Sequence, residues 1–270
     1  MSKYLLICFY FLNQMVSSQT ENCSNINKCV QAGETLTYEV SYNWFLLWVD
    51  VGEVTFTTKT TNIFGKQCYN ISATGYTYKS WDFFFKVRDR YESWVNPDNF
   101  LPVYFERDVN EGGYEIDISY IFKRDLNVAY STHKSSKRPL TRDTIEITPC
   151  TFDVLSVIYY TRSIDFENAV KEQVFPVKIL LDGKLENTYF RYLGIEKKKI
   201  RGLATFECIK FTVNVIEGSV FEGGEIMTIW VTNDKNKMPV FIETPIIVGS
   251  VQIKLIDMEN LRNPVVSKIK

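Results

Sequence analysis

Apolar and polar residues alternate along most of this chain. Leu36, Tyr38, Val40 and Tyr42 interleave with Thr35, Thr37, Glu39 and Ser41, the period-two signature of a half-buried strand. The alternation returns from Val51 to Lys59, from Cys68 to Tyr78 and from Phe85 to Val95. Turn signals separate the runs: Gly65, Asn96-Pro97-Asp98-Asn99, Gly112-Gly113, Asp182-Gly183 and Asn233-Asp234-Lys235-Asn236. Gly, Pro, Asn and Asp supply the backbone conformations that turns require. Further strands are predicted at Val174–Leu181, Lys184–Leu193, Thr205–Ile216, Glu225–Val231, Pro239–Thr244 and Ile247–Ile256. Lys134–Arg142 reads as a basic loop and Glu196–Arg201 as a charged turn.

One stretch breaks this rhythm. In Pro149–Arg162, PCTFDVLSVIYYTR, the apolar residues leave almost no polar face. A helix that is apolar nearly all round is a buried helix. Thr151 is placed to cap its start. Asp153 in the first turn and Arg162 in the last carry the signs that the helix dipole favours. The predicted fold is therefore all-β. An antiparallel curved sheet, open and barrel-like or half-barrel, encloses one short helix over about Thr151–Thr161.

The N-terminus adds a compartment. Lys3 precedes an apolar run, Tyr4–Leu12, of signal-peptide length, and Val16 and Ser18 fit the small-residue rule before a cut after Ser18. The run is shorter than the roughly 20 residues that span a bilayer, and no later run is longer. The expected layout is a signal peptide over 1–18, a polar leader over 19–32, one β domain over 33–261 and a tail over 262–270. The β domain divides into two candidate pseudo-repeat halves, about 33–148 and 174–261, joined by the helix. An exported protein can form disulfides. Cys23 and Cys29 lie close enough in sequence to pair. Cys68 and Cys208, each after a glycine turn in the two candidate halves, make a second candidate bridge. The alternative is that Cys68, Cys150 and Cys208 are small buried hydrophobes.

Composition narrows the chemistry. A net charge of −1 gives no field directed at nucleic acid. His133 is the only histidine, which excludes a multi-histidine zinc site. No phosphate-binding glycine loop or GxSxG elbow is present, and no cofactor is implied. Catalytic candidates reduce to paired carboxylates among scattered aspartates. Asp89 lies on an apolar strand phase, so its charge needs a buried partner, for which Arg162 is the candidate. Aromatic residues are 15% of the chain. That suits a packed core and equally an aromatic-lined concavity.

The segment around the helix resembles the "D-x-LS-x-x-Y-x-x-R" stretch of exported bacterial proteins grouped as domain of unknown function 3108. GETLTYEVSYNWFLLWVDVGEVTF is similar to that family's opening hairpin. IWVTNDKNKMPVFIETPIIVGSVQIKL is similar to its closing one, with Trp230, Asp234, Asn236, Pro239, Gly249 and Ser250 in place. The resemblance implies a curved or barrel-like envelope protein with an enclosed helix, in the periplasm or at the outer membrane. It carries no reaction and no catalytic residues.

Three functions follow as expectations. The first is a non-catalytic envelope protein that binds or shields a lipid or glycan, with Trp81, Asp89, Tyr91, Tyr160, Arg162 and Trp230 as ligand-contacting candidates. The second is an assembly partner of an envelope protein. The third is a carbohydrate-active enzyme using two carboxylates.

Overall fold

The period-two segments pair with their neighbours in sequence, and the whole chain becomes one sheet. A computed structural model describes Cys23 and residues 25–44, 47–214, 226–246 and 249–269. The proposed signal peptide and its cleavage point lie outside the described residues. The strands are β1 (Thr35–Trp44), β2 (Leu47–Ile63), β3 (Lys66–Thr77), β4 (Val87–Val95), β5 (Pro102–Glu111), β6 (Tyr114–Lys123), β7 (Val128–Ser135) and β8 (Arg138–Glu146). A short β9 (Thr151–Phe152) and the helix α1 (Ser156–Ser163) follow. Then come β10 (Val174–Leu181), β11 (Lys184–Ile200), β12 (Ala204–Asn214), β13 (Ile226–Thr232), β14 (Pro239–Pro245), β15 (Ser250–Glu259) and β16 (Lys268–Ile269).

The sheet order is β8-β7-β6-β5-β4-β3-β2-β1-β15-β14-β13-β12-β11-β10-β9, with β16 added beside β12. Two sequential meanders thus meet where β1 pairs with β15. Neighbours are antiparallel except β9 and β10, which run parallel. The sheet curls into a barrel-like wall with two edges, β8 and β9. The expected all-β class, curved open sheet and enclosed helix are observed.

Several local expectations are corrected. The basic Lys134–Arg142 stretch is a hairpin rather than a loop. Pro139 sits inside β8, which is tolerated because β8 is an edge strand whose missing N–H costs no ladder bond. The charged turn expected at Glu196–Arg201 is mostly strand, since β11 runs on to Ile200. A register shift between Tyr192 and Gly194 absorbs the bend, with Gly194 at φ 115°. The lysines stay exposed except Lys198, whose ammonium rests over the Trp230 and Phe241 rings at 3.8 and 3.9 Å.

The helix starts later than expected because Thr151 and Phe152 are taken up by β9. The Thr151 hydroxyl accepts from the Thr148 N–H at 3.0 Å and caps no helix. Asp153 does that work instead. Its Oδ1 accepts the N–H groups of Leu155 and Ser156, both at 2.8 Å, and its Oδ2 accepts the Ser93 hydroxyl at 2.6 Å. One carboxylate therefore satisfies free donors at the helix start and fastens that start to β4.

Both expected disulfides are corrected. Cys23 is bonded to Cys150, 127 residues away, with the Cα atoms 5.5 Å apart. The cross-link joins the leader to the residue before β9. Cys29, Cys68 and Cys208 are free and buried. Cys68 and Cys208 sit on β3 and β12, separated in the sheet by β2, β1, β15, β14 and β13. Burial raises all three thiols above their ordinary range, so they stay protonated and unreactive. The leader is ordered by Asn27, whose side-chain oxygen accepts the Cys29 and Val30 N–H groups. It delivers Cys29 and Val30 into the core beside Phe100 and Tyr159.

Closing so long a loop constrains the unfolded chain, an effect worth about 2–4 kcal/mol in typical proteins. Urea denaturation with and without reductant should show a loss of that size in the native chain. Cys150→Ser should show the loss without reductant and no further response to it. Cys68→Ala should keep the native response.

Candidate functional site

The interior is not uniformly filled. On the β3–β7 side the helix packs directly on the sheet: Leu155 and Tyr159 join Ile71, Phe105, Ile118 and Tyr120 in one buried cluster. On the other side, between α1 and the arc from β2 through β1 to β10, a cavity of about 440 Å³ remains. Its walls follow from strand alternation. Phe211 and Val213 of β12, and Met227, Ile229 and Val231 of β13, point inward on every second position. Ile242 and Ile253 continue the wall, while Val157, Ile158 and Thr161 line it from the helix. Many of these inward apolar side chains are only half-buried, because the space they face is wide enough for solvent.

The cavity lining extends between the two ends of the barrel. Because the meanders are antiparallel, their connections alternate between two ends of the barrel. At one end lies Arg162, 2% exposed. Its two terminal nitrogens donate to the two oxygens of Glu34 at 2.5 and 2.9 Å, and its Nε donates to the Asn236 carbonyl at 3.1 Å. Both side chains of the ion pair are 1% exposed. Burial alone favours the neutral guanidine, but the Glu34 carboxylate outweighs it and holds Arg162 above its ordinary range. Tyr38 and Tyr159 beside the pair are pushed up, first by burial, so they remain neutral hydroxyls. The Tyr38 hydroxyl donates to the Pro239 carbonyl at 3.0 Å. Toward the opposite end the lining reaches the strand ends at Leu181, Asn214 and Met227.

The lining is mostly Val, Ile and Leu, with five aromatic rings from Tyr38, Phe56, Tyr159, Phe190 and Phe211. Several of its polar side chains have partners within the protein. Arg162 is held as above, and the Thr188 hydroxyl donates to the Asn214 carbonyl at 2.8 Å.

Of the six expected ligand-contacting residues, only Arg162 lines this cavity. Tyr160 stacks on Phe152 with ring centroids 4.3 Å apart. Trp230 packs against Phe241 and donates its indole N–H to Glu196 at 2.6 Å. Trp81 is half-buried in the β3–β4 connection. Asp89 and Tyr91 lie on the inner face of β4, and Asp89 does not meet Arg162. Its neighbours are Glu111 and Arg107. Burial, then the charge of Glu111, pushes Asp89 up to about 7, against the Asn110 N–H that donates to it at 3.1 Å. Burial also raises Tyr91 to about 12. Arg107 forms an ion pair with Asp182 in the β10–β11 turn. Asp89 and Glu111 hydrogen-bond each other. That leaves no room for the sugar or water between carboxylates that glycosidases hold about 5 Å or more apart.

Fold and geometry now stand beside the comparisons. Residues 37–256 match the family described as protein of unknown function DUF3108. The chain belongs to that family. No curated protein matches it. Among solved structures, it is similar to a beta-barrel-like protein of domain of unknown function DUF1849 from Brucella abortus. The identity is 8%, the match covers 86% of this chain and 98% of the other, and the TM-score is 0.56. At that identity the likeness concerns the fold alone.

The DUF3108 chain's helix shows why its segment is spelled as it is. Asp153, Leu155, Ser156, Tyr159 and Arg162, the five residues that carry the resemblance, are the buried ones. Val154, Val157, Ile158 and Thr161 between them line the cavity. The sequence pattern missed the lining because inward strand positions read alike whether they meet packed core or open space. It missed Glu34 because a carboxylate just before a strand resembles any polar flank.

Two outcomes are expected. Removing one partner of a buried ion pair costs about 3–5 kcal/mol, because the other charge is stranded. Arg162→Met or Glu34→Leu should each lose that much in urea denaturation, and the double variant should lose less than the sum. Asp89 offers a pH test. Its folded value exceeds its unfolded one, so the folded state holds the proton more tightly and stability falls as pH rises from about 4 to 7. Thermal melting of the native chain should drop between pH 5 and pH 8, and Asp89→Asn should flatten that drop.

Proposed function

We propose that this protein is a non-catalytic, exported envelope protein that holds the acyl chain of a lipid in the cavity beneath α1. The observation that carries this reading is the large apolar space. About 440 Å³ of apolar-walled space leaves its lining without the contacts that a packed core supplies. A space on this scale falls within the roughly 300–1,000 Å³ of small-molecule sites. At ~30 Å³ per heavy atom, the share of one water in the liquid, it takes a chain of about 15 atoms.

The lining favours an acyl chain over a glycan. A sugar needs hydrogen-bond partners and flat aromatic platforms, whereas these walls are mainly aliphatic and several of their polar side chains have partners within the protein. A flexible chain needs only apolar surface, at about 0.8 kcal/mol per buried methylene. With Arg162 committed to Glu34, that end offers no counter-charge to a headgroup. The tail therefore lies toward Arg162 and the head away from it. The Cys23–Cys150 bond is compatible with an oxidising compartment, which supports export. An assembly role through the β8 edge is less favoured. Its exposed Arg138, Pro139 and Arg142 are residues that discourage strand pairing.

Titration with a fluorescent fatty acid should give saturable, single-site binding. Ile229→Trp fills the cavity from β13 and should weaken that binding by tenfold or more, with an unchanged or higher melting temperature. A chain that binds no fatty acid and releases no lipid in native mass spectrometry would refute the reading.

A further inference from the structure

The sheet does not close on itself. Its order runs from β8 at one edge to β9 at the other, and β9 pairs with β10 only at Lys178 and Ile179. Among the described residues, no strand pairing joins these two edges, so the barrel wall has a seam. Other contacts bridge it. At one end Arg124, in the β6–β7 connection, donates to the Pro149 and Thr151 carbonyls at 2.7 and 3.0 Å. Toward the other end the β10–β11 hairpin reaches across to β5 and β6. Its turn residues Asp182 and Gly183 have φ of 50° and 78°, the positive values that a two-residue type I′ turn requires. The Gly183 N–H donates to the Tyr120 hydroxyl of β6 at 2.9 Å, and Asp182 forms its ion pair with Arg107 of β5.

The hairpin belongs to the cavity as well as to the seam. Leu181 and Thr188, on the two sides of the tip, both line the cavity. The tip lies between two fixed points. Leu180 is 1% exposed and packs in the cluster that holds Tyr120 and Ile118. Thr188 is tied to β12 through the Asn214 carbonyl. Between them, Asp182, Lys184 and Asn187 are exposed.

The ion pair at the tip is built to be released. In the Arg162–Glu34 pair both side chains are buried, and parting them would strand two charges. Here the Arg107 side chain is 11% exposed and that of Asp182 54%, so a freed Asp182 returns to water. Arg107 keeps other partners on the inner face. Tyr91 shares a hydrogen bond with it, and the charges of Asp89 and Glu111 lie beside it. Its Nε is buried without a partner among the described residues, so the latched arrangement leaves one of its donors unused.

We infer that the tip of the β10–β11 hairpin, residues 181–187, is the gate of the cavity, pivoting between Leu180 and Thr188 and latched by Asp182 on Arg107 and Gly183 on Tyr120. The inference rests on the lipid reading of the cavity, since a gate needs a ligand to admit. Loops that close over a site set how fast ligands enter and leave it. A gate that is shut most of the time slows entry and exit by the same factor, the fraction of time it stands open. Affinity then stays with the lining, and rate with the latch.

The test uses the full chain and the fluorescent fatty acid in stopped flow, comparing the native protein with Asp182→Asn/Tyr120→Phe. Asparagine keeps the size of aspartate and accepts a positive φ, and phenylalanine removes only the hydroxyl. Neither residue lines the cavity. Losing two contacts of this kind should raise the association and dissociation rates together by about tenfold, with the dissociation constant unchanged. Hydrogen exchange without fatty acid should quicken in a peptide over 180–188 and stay the same in a peptide over α1.

Native rates in the variant overturn the gate and leave the cavity ligand standing. A faster dissociation alone, with weaker binding, also overturns it, because the latch would then hold the ligand itself. Exchange that quickens equally over α1 does so too, since the variant would have loosened the whole fold. No saturable binding by the native chain refutes the cavity ligand and removes the gate with it.

Discussion

The buried pair between Arg162 and Glu34 is the constraint around which the interior is arranged. A guanidinium and a carboxylate, each 1% exposed, are costly to remove from water unless each satisfies the other. Here the bidentate geometry and the Asn236 carbonyl use the guanidinium at every nitrogen. Glu34 comes from the residue before the first strand, and Asn236 from the turn between β13 and β14. Arg162 closes the helix. The pair therefore fixes the last turn of α1 to the entry of β1, in the middle of the sheet, and to the β13–β14 turn at once. At the other end of the segment, Asp153 binds the helix start to Ser93 of β4, and Cys150 is tied to the leader. A helix of eight residues is too short to be stable alone. Its position is set by these anchors and the sheet around it.

The anchors also explain why space is left open. Fixed at both ends, the helix packs tightly on the β3–β7 side and stands off the other. The apolar walls that result face solvent-sized space, which stabilises the fold less than packed core does. The half-buried walls on that side therefore contribute less to the fold than the packed β3–β7 side does.

Much of this was legible in the sequence. Period-two alternation gave the strands, and the turn residues gave most of their boundaries. The one apolar-all-round stretch gave the buried helix. The failures have particular causes. Thr151 satisfied the rule for a cap, but a two-residue strand claimed it, and no local pattern announces a pairing with β10. Glu196–Arg201 reads as a turn by charge, yet β11 runs through it to Ile200 because one lysine finds two aromatic rings and the others need only solvent. The cysteines were paired by proximity and by a weak internal likeness. The true bridge joins Cys23 to Cys150, a contact that depends on how the leader folds back over the sheet. The site was the least legible part, because Ile229 facing a void and Ile71 facing a core obey the same alternation.

The helix segment divides its labour by position. Asp153, Leu155, Ser156, Tyr159 and Arg162 hold the helix in place, and their side chains are spent on the protein. Val154, Val157, Ile158 and Thr161 line the cavity, together with Tyr159 and Arg162, but make no comparable anchoring bonds. A change at an anchor should therefore be felt as lost stability wherever the ligand stands. A change at a lining position alters the volume and shape of the space while leaving the frame intact. The residues of the helix segment through which this chain resembles its family are thus the ones that hold the helix off the β10–β15 arc.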